Sequence, residues 1–493
     1  MDAAARDGGR PRSPHLYWTL LPLLAAAVGY AWTLGGFFLS DDFAMLHRAM
    51  TARDWFEASH LPRTGHMSWL RPVSQWSWWG QWGMGGLDPV GYRVFNLAFH
   101  GLNAALVAWL TGALVRGRGA LWGGALAGIA FALAPIHPEA VTWISGRVDV
   151  LSTTGVLVAL LAWVRFCRED GRRRHLAVAY VGLCFGLGAK EMACTLPVLA
   201  AVLWFARAGG TGRPRRTRLL GLVTLGVLVL GYFWVRFLVL DGLGGVVVKE
   251  GAEAGSLQAR FDPMAALGFQ VRALRLSLAP LHRNHHPGDW NLLRLLPLVG
   301  WALLVALASK AGGARRTLKD IGVLAALFVV STAPIAGWGY VSDQSFMSSR
   351  YLYLPSVFVA VLFGVLASGA LARPRVTAGA ALLVLVPWTY QLFEVNGAWV
   401  RAAATSERLV MTLPSQADVK RLCVTGLPDN TGGAYVMRVG FEHAVELFAD
   451  RTDRVAVVEL HEWEAMRAEL IPKGARPEVF QRWDRERGWV LEP

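Results

Sequence analysis

Two adjacent carboxylates, Asp41 and Asp42, stand near the end of the stretch "GGFFLSDDFAM" (35–45), directly after an apolar run. Neighbouring carboxylates at a membrane surface repel each other, which raises the pKa of one member. That suits one as a general base while the other orients it or holds a cation. Cationic side chains recur in similar settings further on. Arg71 lies in "WLRPV", Arg147 in "WISGRVDVLS", Lys190 beside Glu191 in "GAKEM", and Arg350 beside Tyr351 in "SSRYLYLP". Arginine offers paired donors to phosphate oxygens. A carboxylate base with such cations is a set for removing a proton while anionic charge develops nearby.

Each of these groups also has a plainer reading. Ser-Asp-Asp is a good start for a helix, with Ser40 at its N-cap. In "LAPIHPEAVTWISGRVDVLS" (133–152), Pro135 and Pro138 end the preceding helix. His137, Glu139, Arg147 and Asp149 then lie on a turn, where interfacial capping and ion pairing would also use them. Arg350 and its tyrosines could equally form an aromatic belt with a snorkelling arginine.

The elements that must position these residues follow from composition. The chain has 493 residues, 54% hydrophobic and only 17% charged, with a mean hydropathy of +0.37. Its apolar residues come in blocks long enough to cross about 30 Å of hydrocarbon as helix. The class is a polytopic α-helical membrane protein. The net charge of +14 sits in short clusters between blocks, such as "VRGRG" (115–119), "REDGRRRH" (168–175) and "RPRRTR" (213–218). Clusters so placed are topology signals, and a nucleic-acid surface is excluded. Four cysteines, Cys167, Cys184, Cys194 and Cys423, lack metal-ligand spacing and imply no disulfide framework.

Spans are expected near 17–38, 92–115, 119–136, 148–167, 176–190, 192–207, 218–240, 291–309, 320–338, 351–372 and 376–395, about eleven in all. The segment 1–16 reads as a cytoplasmic tail before a signal anchor. Basic clusters then fall at every second boundary, which puts the C-terminal tail outside. Segment 263–280, with Arg272 and Arg275, reads as an interfacial amphipathic helix. Among the outer loops, 39–91 is the longest, and its Trp69, Trp76, Trp78, Trp79 and Trp82 suit a helix lying on the membrane, with stacking on a sugar face as the alternative. Residues 400–493 change composition and read as a small α/β domain on the outer face, with strands at 421–428 and 453–460 and a helix at 438–449. Arginine-rich coding suggests a GC-rich bacterial genome, hence a bacterial inner membrane with the tail in the periplasm.

The motifs "FLSDDF", "WLRPV", "GYRVFNLAFHGLNAAL" (91–106), "PIHPEAVTWISGRVDVLS", "AKE" (189–191) and "SSRYLYLPS" (348–356) occur in this order. Together they resemble the GT-C membrane glycosyltransferases, and most nearly the transmembrane and TPR-containing protein O-mannosyltransferases with their bacterial relatives. The resemblance covers roughly residues 35–360 and implies a GT-C-like catalytic domain over 17–395. It implies a polyprenyl-phosphate-linked sugar donor, mannose in the nearest named branch, and chemistry on the lumenal or periplasmic face. Asp41 and Asp42 then take the place of the family's first-loop carboxylates. The α/β tail replaces the TPR repeats, which leaves a protein, lipid or glycan hydroxyl open as acceptor.

With such a donor the phosphate is already a good leaving group and needs cations more than an acid. The expected reaction is inverting, with Asp41 or Asp42 as the base and Asp41 preferred as the nearer to the span. Arg71, His137, Glu139, Arg147, Asp149, Lys190, Glu191, Arg350 and Tyr351 form the expected substrate-binding set. His282, Arg283, His285, His286 and Asp343 also fall on the outer side. Asn96 and His100 are one helical turn apart and should hydrogen-bond inside the bundle rather than hold a metal. No cluster has zinc-ligand spacing, although "HRNHH" (282–286) leaves a metal open there; no cofactor is required, and a divalent cation at the carboxylate pair stays open. A transporter or flippase of lipid-linked sugar is the alternative, although no inverted repeat is visible.

Overall fold

The computed structural model describes residues 15–64, 67–115, 119–168, 172–206, 214–242, 245–246, 263–280, 291–336, 341–342, 347–413, 422–448 and 479–491. Apolar blocks become helices because hydrocarbon leaves the backbone no other partner for its polar groups. The first is α1 (His15–Tyr30), after which the chain leaves through Phe37, Phe38 and Leu39, all buried. The first long loop then folds as α2 (Asp41–Thr51), α3 (Trp55–Ser59), strands β1 (His60–Thr64) and β2 (Met67–Leu70), and α4 (Pro72–Gly85). β1 and β2 pair antiparallel, and β3 (Gly245–Val246) adds to β2. Asp54 caps α3 through the Phe56 and Glu57 N–H groups.

The bundle continues with α5 (Pro89–Leu114), α6 (Gly119–Ala132), the single turn α7 (Pro138–Val141) and α8 (Arg147–Phe166). Next come α9 (Arg173–Ala189), α10 (Leu196–Ala206) and α11 (Arg215–Leu240). Then α12 (Pro263–Leu278), α13 (Asn291–Gly312), α14 (Ala314–Thr332), α15 (Tyr353–Gly369) and α16 (Pro374–Met411) follow. A helix therefore stands in each place where a span was expected. Among the described residues, seven are long and apolar enough to cross a membrane: those within 89–114, 144–166, 215–240, 295–312, 314–335, 349–369 and 374–411. Those at 18–33, 119–132 and 191–206 are apolar but shorter. Small residues let helices approach closely. A Cβ at Gly155 of α8 would lie 2.5 Å from the Gly182 carbonyl of α9.

α12 stands at the segment expected as an interfacial helix; it exposes Met264, Leu267 and Val271 along one side and buries Phe269, Ala273 and Leu276 on the other. α4 exposes Trp76 and Trp79 but buries Trp78, so the tryptophans do not share one environment.

α16 runs through the boundary expected near 400 and ends at Met411. Beyond it, β4 (Leu422–Thr425) pairs parallel with β7 (Val479–Asp484), and β7 pairs antiparallel with β8 (Gly488–Leu491). The short β5 (Asn430–Thr431) and β6 (Ala434–Tyr435) form a hairpin, followed by α17 (Phe441–Phe448). The strand expected at 453–460 lies outside the described residues. This tail packs directly on the first long loop. The Ser40 N–H donates to the Val436 carbonyl at 3.0 Å, and Phe448 of α17 meets Phe37, Phe38 and Phe43.

Candidate functional site

The site forms where α2, the 137–149 turn, the start of α15 and the tail meet. Asp41 and Asp42 open α2 but are held differently. Asp42 is fully buried and accepts from the Leu39 N–H at 3.0 Å and from the Ser145 N–H and hydroxyl at 2.8 and 2.5 Å. It ties α2 to the 137–149 turn. Ser40 occupies the N-cap position without a capping hydrogen bond, so the simple helix-cap reading does not describe this turn. Asp41 is partly exposed and accepts no hydrogen bond among the described residues. Burial pushes both carboxyls up from their ordinary value, Asp42 to about 6; the charges of Arg350 and Arg438 work against the rise at Asp41.

Arg93 fixes the approach to this turn. Its guanidinium donates to the carbonyls of Gly36 at 2.8 Å, Phe37 at 2.5 Å and Thr142 at 2.7 Å. Arg93 falls within "GYRVFNLAFHGLNAAL" (91–106), and nothing in its sequence context marks it apart from other arginines at the end of an apolar run.

Glu139 is buried and accepts from the Ser349 hydroxyl and the Arg350 N–H, at 3.3 and 3.2 Å. Its other oxygen faces the Arg350 guanidinium at 3.4 Å. That guanidinium lies over Trp143 at 4.8 Å and Tyr351 at 5.4 Å, with its side chain 22% exposed and so reachable. Non-glycine residues with positive φ are costly and gather at functional sites. Among the described residues they are Ser40 (46°), Asp241 (51°) and Ser348 (68°). Ser40 immediately precedes Asp41, and Ser348 immediately precedes the Ser349–Arg350 turn.

Lys190 and Asp149 form a buried pair at 2.6 Å, with the ammonium 4.7 Å from the centre of the Tyr351 ring. Tyr351 thus lies between Arg350 and Lys190. Arg71 grips Glu191 with two hydrogen bonds, 3.1 and 2.8 Å, and Arg236 reaches the same carboxylate at 3.5 Å. Tyr232 accepts from Arg236 and donates to the Leu70 carbonyl, locking α11 to the first long loop.

Two expected binding residues face elsewhere. Arg147 is fully buried beneath α4, donating to Ser77 and Gln81 and lying 4.2 Å from the Trp78 ring centre. His137 is also fully buried and pairs with the Ser356 hydroxyl at 2.7 Å, beside Phe131 and Tyr353. His100 bonds the Tyr353 hydroxyl, and Asn96 donates towards the carbonyls of Val141, Trp143 and Ile144. These are bundle contacts, as expected for that pair. The tail supplies two residues not anticipated: Tyr435, edge-on to Trp143 at 5.2 Å, and Arg438, whose charge acts on Asp41. His282, Arg283, His285, His286 and Asp343 lie outside the described residues.

The fold is similar to that of the oligosaccharyltransferase from Archaeoglobus fulgidus, in its complex with zinc and sulfate: TM-score 0.52, 12% identity, 94% of this chain and 67% of that one. The complex of the same enzyme with an inhibitory peptide and a dolichol-phosphate gives a TM-score of 0.50 over 95% of this chain and 69% of that one. In sequence the chain is similar to the protein O-mannosyl-transferases of the TMTC group. TMTC2 of Mus musculus is 32% identical over 155 residues, 30% of this chain and 18% of that protein. Tmtc2 of Drosophila melanogaster is 31% identical over 225 residues, 41% of this chain and 23% of that protein. The matched stretches thus span about a fifth of these relatives' lengths. No family model matches the chain.

Proposed function

We propose that this protein is a membrane glycosyltransferase that moves a sugar from a polyprenyl-phosphate-linked donor to a hydroxyl acceptor on the periplasmic side, with inversion. The observation that carries the reading is Asp41, a carboxylate free of hydrogen bonds among the described residues and under the charge of reachable Arg350. The Asp41 carboxylate takes the proton of the acceptor hydroxyl as its oxygen attacks the anomeric carbon. The bond to the phosphate oxygen breaks on the opposite face, and Arg350 stabilises the negative charge that builds there. Lys190, on the other side of Tyr351, supports the same region through its pairing with Asp149. Asp42 positions α2 and does not meet substrate.

Several observations support this reading. The sequence similarity to protein O-mannosyl-transferases agrees with a sugar-transfer role and suggests mannose. The structural neighbours were solved with a dolichol-phosphate and with an acceptor peptide, which agrees with a lipid-linked donor and a protein acceptor. Exposed Trp55, Phe56, Trp76 and Trp79 suit a rim at the lipid surface.

The test is transfer of radiolabelled sugar from a panel of polyprenyl-phosphate sugars in membranes holding matched amounts of wild type or Asp41→Asn. Transfer by wild type and its loss in Asp41→Asn is the expected result. Donor binding without transfer to any acceptor would overturn it in favour of transport of the lipid-linked sugar.

A further inference from the structure

One cluster in the protein lies outside the chemistry above. His47 sits on α2, a turn and a half beyond Asp41–Asp42. His443 and Glu446 are three apart on α17, so they project from one side of that helix. The three side chains converge. His47 Nε2 is 3.1 Å from Glu446 Oε2, and His443 Nδ1 is 3.3 Å from the same oxygen. Their ligand atoms all lie within 4.8 Å of one another.

We propose that His47, His443 and Glu446 bind a divalent transition-metal ion of the zinc type, which clamps the tail helix α17 to the helix carrying Asp41. The donor chemistry is that of zinc: two neutral imidazoles and a carboxylate, with one position left for water. Metal–ligand bonds near 2.0–2.1 Å in a tetrahedron put donors about 3.4 Å apart, and the two nitrogen–oxygen separations found are 3.1 and 3.3 Å. An ordinary ion pair accounts for the cluster less well. The imidazoles stack at 4.5 Å, 19° from parallel, and both turn a ring nitrogen to the same Glu446 oxygen. A bound cation satisfies all three groups at once. The side chains are 29%, 34% and 45% exposed, open enough for an ion to enter and keep a water.

The neighbouring contacts show what such a clamp would secure. Gly440, at φ 89°, lets the tail approach the Ser40 carbonyl so closely that a Cβ there would lie 2.8 Å away. Ser40 in turn bonds Val436. The metal site closes the far end of this α2–tail junction, so the ion would hold Arg438 and Tyr435 near Asp41.

The test uses the full-length protein in detergent, stripped with a chelator and titrated with zinc alone, then with cobalt(II) for its visible spectrum. Wild type should take up about one zinc per chain, show the bands of tetrahedral cobalt, and melt at a higher temperature with metal than without. His47→Gln, His443→Gln and Glu446→Gln should each lose that equivalent and the melting shift while remaining monodisperse. Asp41→Asn should retain both. Wild type that binds zinc only at millimolar concentration, or variants that keep the equivalent, would overturn the proposal, as would loss of the ion in Asp41→Asn. None of these readouts depends on sugar transfer.

Discussion

Asp42 accepts three hydrogen bonds, from Leu39 and Ser145, while Asp41 beside it accepts none among the described residues. The two carboxylates should therefore fail in different ways. Asp41→Asn should lower transfer by about 10²–10⁴-fold, the usual worth of a positioned base, and leave thermal stability nearly unchanged. Asp42→Asn should cost about 1–3 kcal/mol, because an amide NH₂ cannot accept from the N–H groups that now point at it. Transfer assays and thermal melts on both variants check this. A destabilised Asp41→Asn with an intact Asp42→Asn would reverse the assignment.

The pH dependence follows from the raised carboxyls. Burial holds the proton on Asp41 to a higher pH than an exposed aspartate would. A base works only after losing its proton, so transfer should rise with pH, with its ascending limb above the ordinary aspartate range. Asp42 binds its proton more tightly folded, up to about 6, than unfolded, near 3.8. Its contribution to stability is full below the unfolded value and lost as pH rises through about 6. Rate profiles and melts from pH 4 to 8 read both slopes. Asp41→Asn should abolish the first, and Asp42→Asn should flatten the second.

Helix positions were legible because apolar runs of spanning length have one structural outcome in hydrocarbon. The two Asp, Glu139 and Arg350 stand out in the sequence as candidates because charges beside long apolar runs call for a partner or a function. Which way a side chain faces was not. Arg147 shares a turn with Asp149 and looked equally available, yet it points under α4 to Ser77 and Gln81. Arg236 and Arg438 come from elements remote in sequence, and only packing brings them to Glu191 and Asp41. The same holds for His47 and α17: no spacing rule joins a histidine in the first loop to two residues in the tail.

Arg350 and Arg147 give a sharp contrast. Arg350→Lys keeps a charge but loses the planar fork, so donor use should weaken by about tenfold or more while the fold survives. Arg147→Lys should leave the donor's KM unchanged. It should instead lower the melting temperature, because it loses the contacts to Ser77, Gln81 and Trp78. Donor titrations alongside melts decide between them. A raised KM in Arg147→Lys would return that residue to the substrate site.

The turn that delivers Asp41 can be tested without touching a polar group. A Cβ at Gly36 would lie 2.9 Å from the Arg93 guanidinium and 3.3 Å from the Ala403 side chain, whereas one at Gly35 meets nothing within 4 Å. Arg93 cannot retreat easily, since it holds the carbonyls of Gly36, Phe37 and Thr142 together. Gly36→Ala should thus destabilise by about 1–3 kcal/mol, as overpacking does. It should also reduce transfer by displacing the 36–42 turn. Gly35→Ala carries the same gain in backbone stiffness without the clash and should be near neutral in both assays. Equal behaviour of the two alanine variants would mean that Arg93 does not set the position of Asp41.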